Sequence, residues 1–115
     1  MLKKNVLRNK NDFSQIYRKG KSVGKKYVVV FIRHNTLPHN RTAFLASKKV
    51  GNAVTRNRAR RLMKESYRAF CERLKTGYDI VFIARNTIKE AKCRDVKISM
   101  EDALKKLGLF EKQVN

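Results

Sequence analysis

Apolar positions recur along this chain in two rhythms. Ala59, Leu62, Met63, Tyr67, Phe70 and Leu74 follow the i, i+3, i+4 spacing of one helix face. Asn57, Arg60, Arg61, Lys64 and Arg68 fall on the opposite face. The turn Gly51-Asn52 opens this helix, and Thr76-Gly77 is expected to end it. Residues 27–32, 41–46 and 78–84 are β-branched and aromatic runs, which predict strands. The first of them lacks strict alternation, as expected of a strand partly buried on both faces. The loop of residues 34–40, with Pro38, is expected to fold the first two runs into a hairpin.

Shorter elements flank this centre. Asn11 or Asp12 is expected to cap a first helix that carries Phe13, Ile16 and Tyr17 and stops at Gly20. By spacing these side chains read as core; an open platform for stacked bases is the other reading. Residues 21–26 are basic and partly extended, and a short turn is expected near Ile88. Asp95 or Ser99 is the expected cap of a last helix carrying Ile98, Met100, Ala103, Leu104 and Leu107, with Gly108 after it. The predicted order is α-β-β-β-α-β-α: a single α+β domain over residues 1–115, its four-stranded sheet packed by helices. Residues 1–8 are expected to form a loose arm and 110–115 a loose tail.

Charge changes this picture. Lys and Arg number 29 against 9 acids, a formal net charge of +20, and the hydrophobic fraction of 42% argues for a folded domain. A polyanion is the implied partner, with nucleic acid the first candidate. The long helix concentrates the excess: Arg56, Arg60, Lys64 and Arg68 form an i, i+4 row. Such like-charged pairs cost roughly 0.2–0.5 kcal/mol each. Cations in the first turn also oppose the helix dipole. Glu65 and Glu72, four residues after Arg61 and Arg68, lie only at the flank. A face built for solubility would mix in acids, so an anionic partner explains it better than solvation alone.

Other chemistry is thin. Cys71 and Cys93 stand apart with no CxxC pair, which gives no zinc pattern and fits a reducing cytoplasm. His34 and His39 read as polar loop surface. No apolar h-region follows the basic start, so no secretory signal is expected, and the longest apolar run is too short to span a bilayer. A membrane surface is the second candidate polyanion, but it would call for one continuous exposed apolar face opposite the charges, which this globular pattern does not offer, so no membrane partner is expected. The acids are scattered, and P-loop, GxSxG and HExxH patterns are missing, so neither catalytic residues, a metal site nor a small-molecule substrate is expected of the protein.

Lys48-Lys49-Val50-Gly51-Asn52-Ala53-Val54, then Arg56-Asn57-Arg58 and Arg60-Arg61-Leu62, resemble the RNR motif of the bacterial ribonuclease P protein family. Asp12-Phe13 with Tyr17 and Gly20 resembles its first helix, and residues 78–85 its last strand, so the likeness runs from about Asn9 to Leu107. The resemblance implies a protein that pairs with a catalytic RNA to remove the 5′ leader of precursor tRNA. The RNA would supply the active site and hold most of the Mg²⁺, and the protein alone would be inactive. It further implies that Lys48, Lys49, Asn52, Arg56, Asn57, Arg58, Arg60, Arg61, Lys64 and Arg68 face the catalytic RNA. Phe13, Tyr17 and Phe31 would line the leader's cleft, which favours the stacking reading over a purely core role. The crossover through the long helix would be left-handed, where general rules suggest a right-handed one. Arg60 stands where many members carry Lys, a planar fork in place of a point charge. Tyr17 stands where Phe is common. The rival reading is a small basic protein that binds ribosomal RNA and has no nuclease role.

Overall fold

The computed structural model describes residues 6–111. Helix α1 spans Lys10–Lys19, followed by β1 (Lys21–Gly24), β2 (Val28–His34), β3 (Arg41–Leu45), α2 (Ala53–Arg68), β4 (Tyr78–Ala84) and α3 (Cys93–Lys106). Two 3-10 turns, Cys71–Arg73 and Asn86–Glu90, sit on either side of β4; the second is the turn expected near Ile88, and it buries that residue. The predicted element order is the observed one.

The strand partners differ from the expected hairpin. The sheet order is β1-β2-β4-β3, with β4 antiparallel to β2 and parallel to β3. Strand β4 is the most thoroughly buried, with Ile80, Val81 and Phe82 all closed off from solvent, and a run apolar on both faces belongs at the centre of a sheet. Strand β3 is shorter and half-exposed, suited to an edge. The loop between β2 and β3 pairs with the chain entering β4. The Asn35 amide donates to the Gly77 carbonyl at 2.8 Å. Asn40 Oδ1 accepts from the Tyr78 amide at 2.9 Å, and its Nδ2 donates to the Lys75 carbonyl at 2.8 Å.

One face of the sheet carries the main core. Val28, Val30, Ile32, Ile80 and Phe82 pack with Ala59 and Met63 of α2 and with Met100 and Leu104 of α3. Phe44 stacks on Phe82 with centroids 5.1 Å apart, and Tyr67 meets both rings edge-on. The other face has a smaller cluster, in which Ile16 of α1 and Leu7 cover Ala43 and Val81.

Several boundaries shift. Asn9, rather than Asn11 or Asp12, caps α1, its Oδ1 accepting from the Asn11 amide at 2.8 Å. Helix α2 stops at Arg68 instead of reaching Gly77: Phe70 leaves helical geometry at φ −133°. Phe70 and Leu74 stay buried because the 3-10 turn keeps both inward, so their spacing mimics a continued helix. Helix α3 begins at Cys93, with Asp95 Oδ2 accepting the Lys92 amide at 2.9 Å. Ile98 is 53% exposed on the far side from Val96, Met100, Ala103 and Leu104.

Parts of the predicted arm and tail are pinned. Leu7 is buried, and its amide donates to the Thr42 carbonyl at 3.0 Å along the β3 edge. Phe110 bridges Leu74. Residues 1–5 and 112–115 lie outside the described residues. Among the described residues, no helix is long and apolar enough to cross a membrane.

Candidate nucleic-acid interface

The cationic helix is set by a tight local structure. Val50 is buried at the end of a turn in which its amide bonds the Ser47 carbonyl at 3.0 Å. This anchors the segment that presents Lys48 and Lys49, both exposed. Gly51 has φ +151°, and a Cβ there would lie 3.0 Å from the Thr55 side chain, so glycine is required. Asn52 is the N-cap: its Oδ1 accepts the Thr55 amide at 3.0 Å. Its carbonyl side is therefore structural, and only its NH₂ remains to meet a partner.

From that start α2 projects its polar row. Asn57, Arg61, Lys64 and Arg68 are exposed, and Arg60 donates to Asn57 Oδ1 at 2.7 Å. Arg56 is half-buried, and its Nε is buried with no hydrogen-bond partner. Such a group costs about 1–3 kcal/mol until an acceptor reaches it. The ion pairs among the described residues join Arg41 to Asp12 and Asp79, and Arg73 and Lys97 to Glu101; none uses a cation of α2. Neither Arg61–Glu65 nor Arg68–Glu72 closes into a pair. Two of these arginines also bond backbone carbonyls: Arg60 reaches that of Ala46 at 3.5 Å, and Arg58 donates to that of Ala91 at 2.9 Å on the side toward α3.

The aromatic trio comes together on the opposite face of the sheet from α2. Phe13 and Tyr17 centroids are 6.2 Å apart, and Tyr17 meets Phe31 edge-on at 5.0 Å. Phe13 and Phe31 are half-buried against Leu7, Ile16, Ala43 and Val81, while Tyr17 is 44% exposed. Burial raises the Tyr17 phenol above its ordinary pKa, so the ring stays neutral. Within this one cluster Phe13 and Phe31 pack into the core while keeping part of each side chain exposed, and Tyr17 is the most open of the three. Val29, Ile83 and Leu45 lie abreast on the same side of the sheet and continue this half-buried apolar surface.

The two surfaces meet. A cavity of about 420 Å³ at the β3 edge is lined by Arg8, Phe13, Leu45 and Lys64 among others. Lys64, assigned by sequence to the helix face, therefore borders the aromatic surface too. Arg8 joins the same cavity; its basic charge was visible in the sequence, but its place in a supposed loose arm hid its position.

Helix α1 is held over this surface by residues whose roles were not foreseen. Arg41 binds Asp79 at 2.7 and 2.8 Å and reaches Asp12 of α1 at 3.3 Å. Asn35 Nδ2 adds a bond to Asp79 Oδ1 at 2.9 Å. Asp12 and Asp79 are thereby committed to a cation, and no group of three or more acids, histidines or cysteines among the described residues could hold a metal ion. The arrangement offers positive charge, hydrogen-bond donors and aromatic faces, which suit phosphates and bases.

Residues 1–108 match the family model described as Ribonuclease P. The ribonuclease P protein component of Alkaliphilus metalliredigens is 42% identical over 110 residues, covering 96% of this chain and 99% of that protein. That of Clostridioides difficile is 46% identical over 104 residues, covering 90% and 91%. Among solved structures, the RNase P protein of Staphylococcus aureus superposes with a TM-score of 0.85 at 33% identity, covering 95% of this chain and all of that one.

Proposed function

The chain belongs to the ribonuclease P protein family, and from that membership we propose that it binds the catalytic RNA subunit and the 5′ leader of precursor tRNA. The exposed face of α2, with Lys48 and Lys49 beside it, grips the phosphodiester backbone of the RNA subunit. The surface of Phe13, Tyr17 and Phe31 takes the single-stranded leader, stacking bases without reading their edges. Cleavage belongs to the RNA subunit. Mg²⁺ would be held mainly there too, which fits Asp12 and Asp79 both serving Arg41 among the described residues. The cytoplasm is the compartment where such a complex would work.

The observation that carries this reading is the uncompensated cationic row of α2, whose Lys64 borders the cavity that also holds Phe13. Proximity lets one small domain hold the RNA subunit on one side and guide the leader on the other. No observation favours the ribosomal alternative.

Reconstitution tests it. The protein is mixed with a bacterial ribonuclease P RNA and precursor tRNA at Mg²⁺ too low for the RNA alone. Cleavage at the mature 5′ end should appear with the protein and be missing from protein without RNA. Cleavage unchanged by the protein would overturn the proposal.

A further inference from the structure

Apart from α2 and the aromatic surface, the protein has a basin at the other end of the sheet. This basin, about 510 Å³, is lined by Lys19, Lys21, Arg33 and His34, with Ile32 and Tyr78 among its walls. Its cations come from three elements: the end of α1, the start of β1 and the end of β2. Gly20 makes that convergence possible. A Cβ there would lie 2.4 Å from the Ile16 carbonyl oxygen and 2.5 Å from that of Ile32, so the chain reverses where only glycine fits. Lys19 and Lys21 are thus set on either side of the reversal, against the end of β2.

Among the described residues, no acid lines the basin. Arg33 stands in register opposite Asp79, the nearest carboxylate along the sheet. Both Asp79 oxygens are already used, Oδ1 by Arg41 and Asn35 and Oδ2 by Arg41. Among the described residues, Arg33 is consequently half-buried without an ion pair, and neither Lys19 nor Lys21 has one. His34 packs edge-on to Tyr78 at 5.2 Å, which fixes an imidazole and a phenol on the basin wall. Several donors around a concave floor, held by a rigid sheet end and left without counter-charge, suit a phosphate group.

We propose that this basin is a separate phosphodiester-binding site, gripping an RNA backbone through Lys19, Lys21 and Arg33 at the end of the sheet away from the start of α2. The proposal rests on the RNA-binding reading, since the phosphate is taken to be part of RNA. The strand is supplied either by the RNA subunit or by precursor tRNA.

The test is a salt titration of the Lys21→Ala/Arg33→Ala variant in two arms, binding of a bacterial ribonuclease P RNA and binding of precursor tRNA by the assembled complex. Arg61→Ala is run in parallel. Losing two contacts should flatten the log–log slope by somewhat over one unit, at about 0.7 per single-strand contact. Flattening in the first arm assigns the strand to the RNA subunit, and in the second to the precursor. A wild-type slope in both arms overturns the basin, while Arg61→Ala shows separately whether the α2 reading stands. Should the alanine pair melt early, Lys21→Gln/Arg33→Gln, which keeps the stems and a polar end, carries the same test.

Discussion

Arg41 of β3 grips Asp79 of β4 with two parallel bonds, Nε to Oδ1 at 2.8 Å and Nη2 to Oδ2 at 2.7 Å, between residues directly in register across the sheet. The third nitrogen reaches Asp12 on α1. One guanidinium thereby fastens the sheet edge and sets the helix that carries Phe13 and Tyr17. The two carboxylates differ in burial: Asp79 is nearly closed off, and Asp12 is a third exposed at its side chain. Asp79→Ala should cost about 3 kcal/mol or more in denaturant unfolding, because it strands a half-buried cation. Asp12→Ala should cost under about 1 kcal/mol. Equal losses would show that Arg41 leans on both carboxylates alike.

The aromatic cluster predicts a split between binding and stability. Tyr17 exposes its ring, so Tyr17→Ala should weaken leader binding by about 1–3 kcal/mol with little change in melting temperature. Phe13 also packs on Leu7 and Ile16, so Phe13→Ala should lose both. Affinity measured with a labelled leader, beside a thermal melt, separates the two. If Tyr17→Ala binds like wild type, the ring is not a stacking face.

Tyr67 gives a pH signature. Burial foremost pushes its phenol up to about 12. Between about pH 10 and 12 the unfolded chain ionises this tyrosine while the folded chain keeps it neutral, so stability falls as pH rises. Tyr67→Phe should lose part of that fall. Melting temperatures across this range should therefore slope less steeply for the variant; parallel slopes would place the ring in water.

How much of this was legible in the sequence follows from what periodicity reports. It assigns a face and not a neighbour. The runs that became β2, β3 and β4 were evident from Val, Ile and Phe, but nothing local told that β4 enters between β2 and β3; Asn35 and Asn40 settle that by binding residues far along the chain. The apolar spacing of Phe70 and Leu74 was right about burial and wrong about helix, since a 3-10 turn also points both inward. Ile98 looked like core because it is apolar, but it lies about 200° around the helix from both Val96 and Met100, on the exposed side. At the interface, the RNR run identified the cationic row, while the turn of Arg58 onto Ala91 and the cavity shared by Arg8, Phe13 and Lys64 needed three dimensions.

That turn of Arg58 has its own consequence. Arg58→Ala removes a bond to a backbone carbonyl and should lower stability by about 0.5–1.5 kcal/mol, more than Arg61→Ala. Chemical denaturation of the two variants compares them directly. Equal midpoints would mean that the Ala91 bond contributes nothing in solution.

The central claim is that the exposed row of α2, with Arg61, Lys64 and Arg68, is there for RNA and not for the fold. Arg61 tests it most cleanly, being exposed and in no ion pair among the described residues. The measurement is a salt titration of Arg61→Ala with a bacterial ribonuclease P RNA, paired with a melt of the free variant. The account predicts an unchanged or slightly higher melting temperature, as a crowded charge is relieved, and a log–log slope flatter by somewhat under one unit. A variant that melts early while its slope stays at the wild-type value would contradict it.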